Sequence, residues 1–280
     1  METIPLSKLP QALLEGVCQE ICNFTIGLVK LHGSDPVQGA GLGGSGTLVQ
    51  IDQQYGILTA SHVLDYLNDS VAIGLILANA TKPSLHAVKV RCETMRWLRI
   101  EPADDKNQGP DLAILTLASV DVGTVGAVKS FYNLPKREWL LDRPPALNEG
   151  IWFLAGFVDE YTSERQPDRG YSRIIGFRGA CGRGWVDKQY RIGNFDYLDF
   201  EVTYGGVNDP PQSFGGTSGG GLWQVPLVRT PGGDLKPQGL LLSGVAFYQS
   251  PIIENRRVIR CHGRDGVYAH VIQRVKKELT

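Results

Sequence analysis

The sequence predicts an all-β protein built from two β-rich halves, with a helix at each end. Three observations carry this expectation. Glycine (34 residues) and proline (16) are frequent, and the apolar runs between them are short, as in many strands joined by tight turns. The runs fall into two groups, residues 25–130 and 150–265, separated by a proline-containing stretch. Only the two ends carry apolar residues at helical spacing.

Residues 1–24 read as an N-terminal helical segment, because Leu9, Leu13, Leu14, Val17 and Ile21 share roughly one face. In the first half, FTIGLVKL alternates loosely and GSDPVQGAGLGGSG is turn-rich. TLVQI, YGILTASHVL, VAIGLILA, HAVKVRCETM and DLAILTLA then read as strands. Residues 131–149 read as a linker, with Pro135, Pro144 and Pro145 among charged residues. The second half, 150–265, holds six strand-like runs: GIWFLAGF, YSRIIGFRG, YLDFEVTY, GGLWQV, GLLLSGVAFYQ and RRVIRCH. Residues 266–280 form a C-terminal segment and helix. Val271, Ile272, Val275 and Leu279 lie near helical spacing, and Lys and Arg in the later turns suit the helix dipole.

Charge and cysteine content narrow the function classes. The chain has 280 residues, with 28 Lys plus Arg against 29 Asp plus Glu. That balance points to neither nucleic acid nor an anionic membrane. No stretch approaches the roughly 20 apolar residues of a membrane span. The five cysteines (Cys18, Cys22, Cys92, Cys181, Cys261) show no CxxC pair and no zinc spacing, so neither metal nor cofactor is expected. The N-terminus has no basic stretch followed by an apolar core, so it reads as an amphipathic helix rather than a secretory leader. A cytoplasmic setting with reduced thiols is the expectation. GLGGSG at 41–46 lacks the ending of a phosphate loop and precedes a strand, so it reads as a turn.

Three segments carry chemistry. Thr59-Ala60-Ser61-His62-Val63 closes a strand. Gly109-Pro110-Asp111 opens one. Phe214-Gly215-Gly216-Thr217-Ser218-Gly219-Gly220-Gly221 is a glycine-rich turn before another. In chain order they give His, Asp, Ser, the order of the chymotrypsin-type triad and not of the subtilisin or α/β-hydrolase types. A serine hydroxyl is a poor nucleophile at neutral pH, and a neutral imidazole within reach can take its proton. Asp104 and Asp105 compete with Asp111 but lie in a polar loop. Ser213 competes with Ser218 but lacks glycines on its C-terminal side. His32, His86, His262 and His270 have no ligand spacing and read as surface or structural residues.

GSGTLVQIDQQYGILTASHVLD resembles the first-barrel segment of trypsin-like serine peptidases, especially the bacterial branch. PDLAILTL resembles their Asp-led strand and GGTSGG their nucleophile loop. LSGVAFYQ resembles the substrate-pairing strand, and GVYAHV the segment closing the specificity pocket. The resemblance runs from about Gly44 to the C-terminus. It implies two six-stranded antiparallel β-barrels of the chymotrypsin-like fold, without a PDZ domain, and a serine endopeptidase acting on protein or peptide substrates. His62, Asp111 and Ser218 would be its triad, with the N–H groups of Gly216 and Ser218 as oxyanion hole. Aligned outward from Ser218, Gln212 and Ser213 would sit at the floor of the specificity pocket and Gly266 in its wall. Phe247, Tyr248 and Gln249 would lie on the substrate-pairing strand. Asp209 and Asp265 are acids that would favour a basic residue before the scissile bond.

Two departures from the family pattern matter. Thr217 stands where secreted trypsins carry the Asp that pairs with a new N-terminus, and Val63 replaces the cysteine after the catalytic His. Activation by N-terminal insertion and disulfide stapling are therefore not expected. Two readings from other classes stand beside the peptidase. One is a catalytically silent protease-fold binding module. The other is a signalling or defence effector, conditionally activated by a protein partner, with the N-terminal helix and residues 224–238 as docking elements.

Overall fold

The computed structural model describes residues 9–31, 40–77, 87–101, 110–165, 174–206 and 209–279; Asp104, Asp105, His32 and His86 lie outside them. The first half contributes β1 (Thr25–Leu31), β2 (Ala40–Ile51), β3 (Gln54–Thr59), β4 (Ala72–Ile76), β5 (Ala87–Arg91), β6 (Arg96–Glu101), β7 (Leu112–Thr116) and the short β8 (Tyr132–Asn133). These make one eight-stranded sheet in the order β5-β4-β1-β2-β3-β7-β6, with β8 parallel to β2. Two of the predicted strands end early. YGILTASHVL is strand only to Thr59, and Ser61–Leu67 is a helix that buries Val63, Leu64 and Leu67 on one face. HAVKVRCETM breaks at a 3₁₀ turn over Cys92–Thr94. Where a closed six-stranded first barrel is expected, the described residues form a sheet with β5 and β6 as its edges.

The second half contributes β9 (Ile151–Phe157), β10 (Ser163–Arg165), β11 (Ile174–Gly176), β12 (Gly179–Ile192), β13 (Phe195–Thr203), β14 (Gly221–Val225), β15 (Leu227–Arg229), β16 (Leu235–Pro237), β17 (Leu241–Gln249) and β18 (Arg256–His262). Six of them close a barrel in the order β12-β13-β18-β17-β14-β9; β10–β11 and β15–β16 are separate hairpins. Five of the six expected runs supply barrel strands, and one member differs. The RIIGFRG run supplies β11, outside the barrel. The barrel instead takes β12, GACGRGWVDKQYRI, whose glycines and charges disguise it in the sequence.

The terminal helices are parts of the core. Helix α1 (Gln11–Cys22) buries Leu14, Val17 and Ile21, at i, i+3 and i+7. They join a cluster with Val49 and Ile114 of the first half and Phe153 and Trp223 of the second. Helix α2 (Ser61–Leu67) packs against the first sheet, and α3 (Ser119–Gly126) follows β7. Helix α4 (Val271–Leu279) buries Val271, Ile272 and Val275 in the same cluster as α1, and is reached through a π turn, Gly266–His270. Between the halves, Phe24 stacks on Trp223 (5.6 Å) and Tyr132 meets Trp223 edge-on (5.1 Å). The connector is held as well: Gln224 Nε2 donates to the carbonyls of Ala146 (2.7 Å) and Glu149 (2.8 Å), and Arg264 donates to that of Pro145 (3.3 Å).

All five cysteines are free thiols. Among the described residues no helix is long and apolar enough to cross a membrane, and no group of three His, Cys, Asp or Glu side chains is placed to hold a metal.

Because Ile21 is fully buried where both halves meet, Ile21→Ala should destabilise the whole protein by about 2–5 kcal/mol. The shift of the urea midpoint, followed by tryptophan fluorescence, measures it. A shift below about 1 kcal/mol would make α1 a detachable segment.

Candidate active site

Strand pairing brings His62 and Asp111 together. β3 and β7 run antiparallel with Thr59 opposite Ala113, so the start of α2 lies beside the residue that precedes β7. The His62 N–H donates to Asp111 Oδ1 (2.8 Å), and His62 Nδ1 makes a close contact with Asp111 Oδ2. Both carboxylate oxygens are thus spent on one residue. The Asp111 side chain is 1% exposed and that of His62 35%. A buried carboxylate requires such compensation, because burial without hydrogen bonds strongly disfavours the charge. With Nδ1 facing the carboxylate, the chemistry left to His62 lies at Nε2. Beneath this pair, the Asp111 N–H donates to Nε2 of His262 (2.7 Å).

Ser218 comes from the other half, in the loop before β14. Gly216 and Gly219 take φ of +85° and +87°, a region that side-chain-bearing residues rarely enter. The loop is tied at both ends. Thr217 N–H donates to Phe214 O (3.0 Å), Asp159 N–H to Gly215 O (2.8 Å), and Gly219 N–H to Ala246 O (2.7 Å). Among the described residues, no protein group accepts from the N–H of Gly216 or Ser218, which leaves two donors on either side of Thr217. His62 and Ser218 line the same cavity, of about 490 Å³, with Asp65, Phe214, Phe247 and Tyr248 among the other wall residues.

Ser45, on β2, joins the two halves at this point. Its buried hydroxyl donates to Gly216 O (2.7 Å) and accepts from Phe157 N–H (2.7 Å), and its N–H donates to Ser218 O (2.8 Å). Thr59 Oγ1 donates to Ser45 O (2.7 Å). Space here is closed: a Cβ on Gly219 would lie 2.1 Å from Thr59 Oγ1, and one on Gly44 would lie 2.9 Å from Ser218 O. Neither Ser45 nor His262 stands out in the sequence as part of a site, since each acts through a neighbour and carries no motif of its own.

The expected specificity residues divide. Phe247, Tyr248 and Gln249 line the cavity. Gln249 is committed internally: its Oε1 accepts from Phe214 N–H (2.8 Å) and from Arg257 Nη1 (2.8 Å), and its Nε2 faces Ser213 Oγ (3.4 Å). Gln212 is exposed and its carbonyl accepts from Arg257 (2.6 Å), and the Ser213 N–H donates to Glu160 Oε2 (2.8 Å); neither lines the cavity. Gly266 is not in the wall. It opens the π turn, and its N–H donates to Asp196 Oδ1 (2.9 Å). GVYAHV resembles a pocket-closing strand, but Val267, Tyr268 and Val271 are apolar positions of a helical turn facing the core, and β18 supplies Ile259 to the cavity instead. Asp209 accepts from the N–H groups of Gly205 and Gly206, and Asp265 pairs with Arg191, so both acids are engaged elsewhere.

No protein-family model and no curated protein matches the chain. Among solved structures, one similar chain belongs to a structure described as "Aromatic interactions drive the coupled folding and binding of the intrinsically disordered Sesbania mosaic virus VPg protein". The alignment covers 89% of this chain and 90% of that one, at 14% identity and a TM-score of 0.42. A likeness at that level carries neither fold nor function.

Ser45→Ala would leave the Phe157 N–H and the Gly216 carbonyl without their partner. We expect a loss of about 1–3 kcal/mol in stability, read from the denaturation midpoint. An unchanged midpoint would mean that the loop is held by other bonds.

Proposed function

We propose that this protein is a serine endopeptidase, with Ser218 as nucleophile, His62 as general base and then acid, and Asp111 as the group that orients His62. The single observation that supports this most is the buried Asp111 spending both carboxylate oxygens on a half-exposed histidine that shares a cavity with Ser218. The closed six-stranded barrel beside a mainly antiparallel sheet, with this cavity between them, fits the chymotrypsin-like double barrel that the sequence resembles.

The reaction follows from the groups in place. His62 Nε2 takes the Ser218 proton as the oxygen attacks the substrate carbonyl. The carbonyl oxygen gains negative charge, which the N–H groups of Gly216 and Ser218 stabilise; a donor of this kind is worth on the order of 3 kcal/mol in comparable sites. Asp111 stabilises the imidazolium without taking its proton. The amine leaves with the proton from His62. Water then repeats the sequence on the acyl-enzyme and releases the acid and Ser218.

The cavity wall favours an uncharged residue before the scissile bond. Phe214, Ala246, Phe247, Tyr248 and Ile259 supply apolar surface, and the carboxylate in the lining, Asp65, is paired with Arg99 (2.7 Å). A basic side chain there would meet no free acid. The five free thiols suit a reducing, cytoplasmic setting.

A fluorophosphonate probe should label the wild type, and Ser218→Ala should abolish labelling. Asp111→Asn should fold and lose on the order of 10⁴ in kcat. A wild type that is folded yet unlabelled would leave the silent or partner-dependent module as the better reading. In a peptide library, uncharged residues should outrun Arg and Lys by tenfold or more, since burying an unpaired cation costs several kcal/mol; a preference for Arg or Lys would overturn this assignment of the pocket.

A further inference from the structure

His262 ends β18, the barrel strand from which it takes its backbone pairing, with Tyr197 and Val245 opposite it. Its ring nevertheless reaches the first half. Asp111 precedes the first ladder residue of β7, so strand pairing gives its N–H no partner, and His262 Nε2 accepts it at 2.7 Å. The ring is fully buried among aromatics: Phe247 is stacked at 4.7 Å, Tyr197 lies at 5.2 Å and Phe195 stands edge-on at 5.9 Å. Phe247 in turn lines the cavity that holds His62 and Ser218.

This geometry fixes the tautomer. A nitrogen that accepts from an amide carries no proton, so the ring proton sits on Nδ1. Among the described residues Nδ1 has no hydrogen-bond partner. An apolar side chain of the same shape would escape that penalty, and the one thing it would lose is the bond to Asp111. Resting on the peptidase reading above, we propose that neutral His262 is a positioning residue: by holding the Asp111 backbone from the opposite half, it keeps the His62–Asp111 pair in register with Ser218.

The surroundings keep the ring neutral. Burial pushes His262 down to about 4, against the Asp111 carboxylate, which acts the other way; His270 adds to the lowering. On β13, Tyr197 faces the ring, and the carboxylate of Asp196 accepts from the N–H groups of Asp265 and Gly266; Asp199 and Glu201 of β13, Tyr248 of β17, Arg260 and Cys261 of β18 and Tyr268 of the π turn are further titratable groups on these elements. The sign follows from proton binding. Between about 6.5 and about 4 an unfolded chain protonates this histidine while the folded one does not, so its contribution makes the fold less stable as pH falls through that window. Below it, a protonated ring has two N–H donors and can no longer accept from Asp111.

The test compares wild type, His262→Phe and His262→Gln. Phe keeps the ring stack and removes the acceptor; Gln restores a neutral acceptor oxygen. With the full chain and an uncharged peptide substrate, we expect His262→Phe to lose roughly 10- to 100-fold in kcat and in fluorophosphonate labelling, with KM within twofold and partial recovery in His262→Gln. A Phe variant within twofold of wild type, or a loss carried by KM, overturns the proposal. If His262→Phe does not fold, nitrogen-15 NMR of the wild-type histidines decides. The Nδ1–H tautomer persisting from pH 7 to below 5 supports the proposal, and an Nε2–H tautomer or titration near 6.5 overturns it. Failure of the peptidase reading is separable, because it appears as an unlabelled wild-type Ser218.

Discussion

The Ser45 hydroxyl accepts from Phe157 and donates to Gly216, while the Ser45 backbone holds Ser218 and Thr59. Of these four bonds two fix the distance between a strand of the first half and the Ser218 loop of the second, one ties that strand to β9 and one ties it to β3. The rest of the site depends on that distance. His62 and Asp111 are positioned by the β3–β7 ladder, and β3 is the neighbour of the strand that carries Ser45. The triad candidates thus share a short frame of hydrogen bonds, none of which crosses solvent. Glycines at 44 and 219 are the steric condition for it, since a side chain at either would force the two backbones apart.

Electrostatics imposes a second constraint on the same frame. Asp111 is a buried charge, and its energy depends on how completely its oxygens are used. His62 uses both, through one backbone and one ring nitrogen. The ring orientation that suits the carboxylate leaves Nε2 as the second nitrogen of a histidine that lines the cavity. Elsewhere the barrel handles buried polar groups in the same way. Arg264 is buried yet engaged with Gln224, Ser243 and the carbonyl of Pro145, which converts the connector from a linker into part of the wall.

The sequence displays the candidate residues more plainly than the strands around them. His62, Asp111 and Ser218 are legible because each sits in a short, chemically distinctive run. The terminal helices are legible from apolar spacing, and the two-half organisation from turn residues. β12 is not, because Gly179, Gly182 and Gly184 and its exposed charges remove the alternation by which strands are read; its pairing with β9 and β13 is a tertiary fact. GVYAHV misleads for the opposite reason, since its apolar order suits a strand and a helical turn equally, and the core under α4 decides for the turn. Ser45 and His262 are illegible in principle. Their roles consist of partners more than a hundred residues away, to which a single sequence gives no pointer.

The loop from Asp209 to Gly221 is two materials in one segment. From Gly216 onward it is set by backbone, positive φ and close approach, and it tolerates no added atoms. From Asp209 to Gly215 it is half-buried apart from the buried Pro211 and the exposed Asp209, Gln212 and Ser213, and side chains tie it: Asp209 on its own turn, Glu160 on Ser213, and Gln249 and Arg257 on their neighbours. The exposed Asp209, Gln212 and Ser213 therefore have room for other side chains, whereas Gly216, Gly219 and Gly220 have none. The boundary at Gly216 separates a stretch shaped by close backbone approach from one shaped by replaceable side-chain ties.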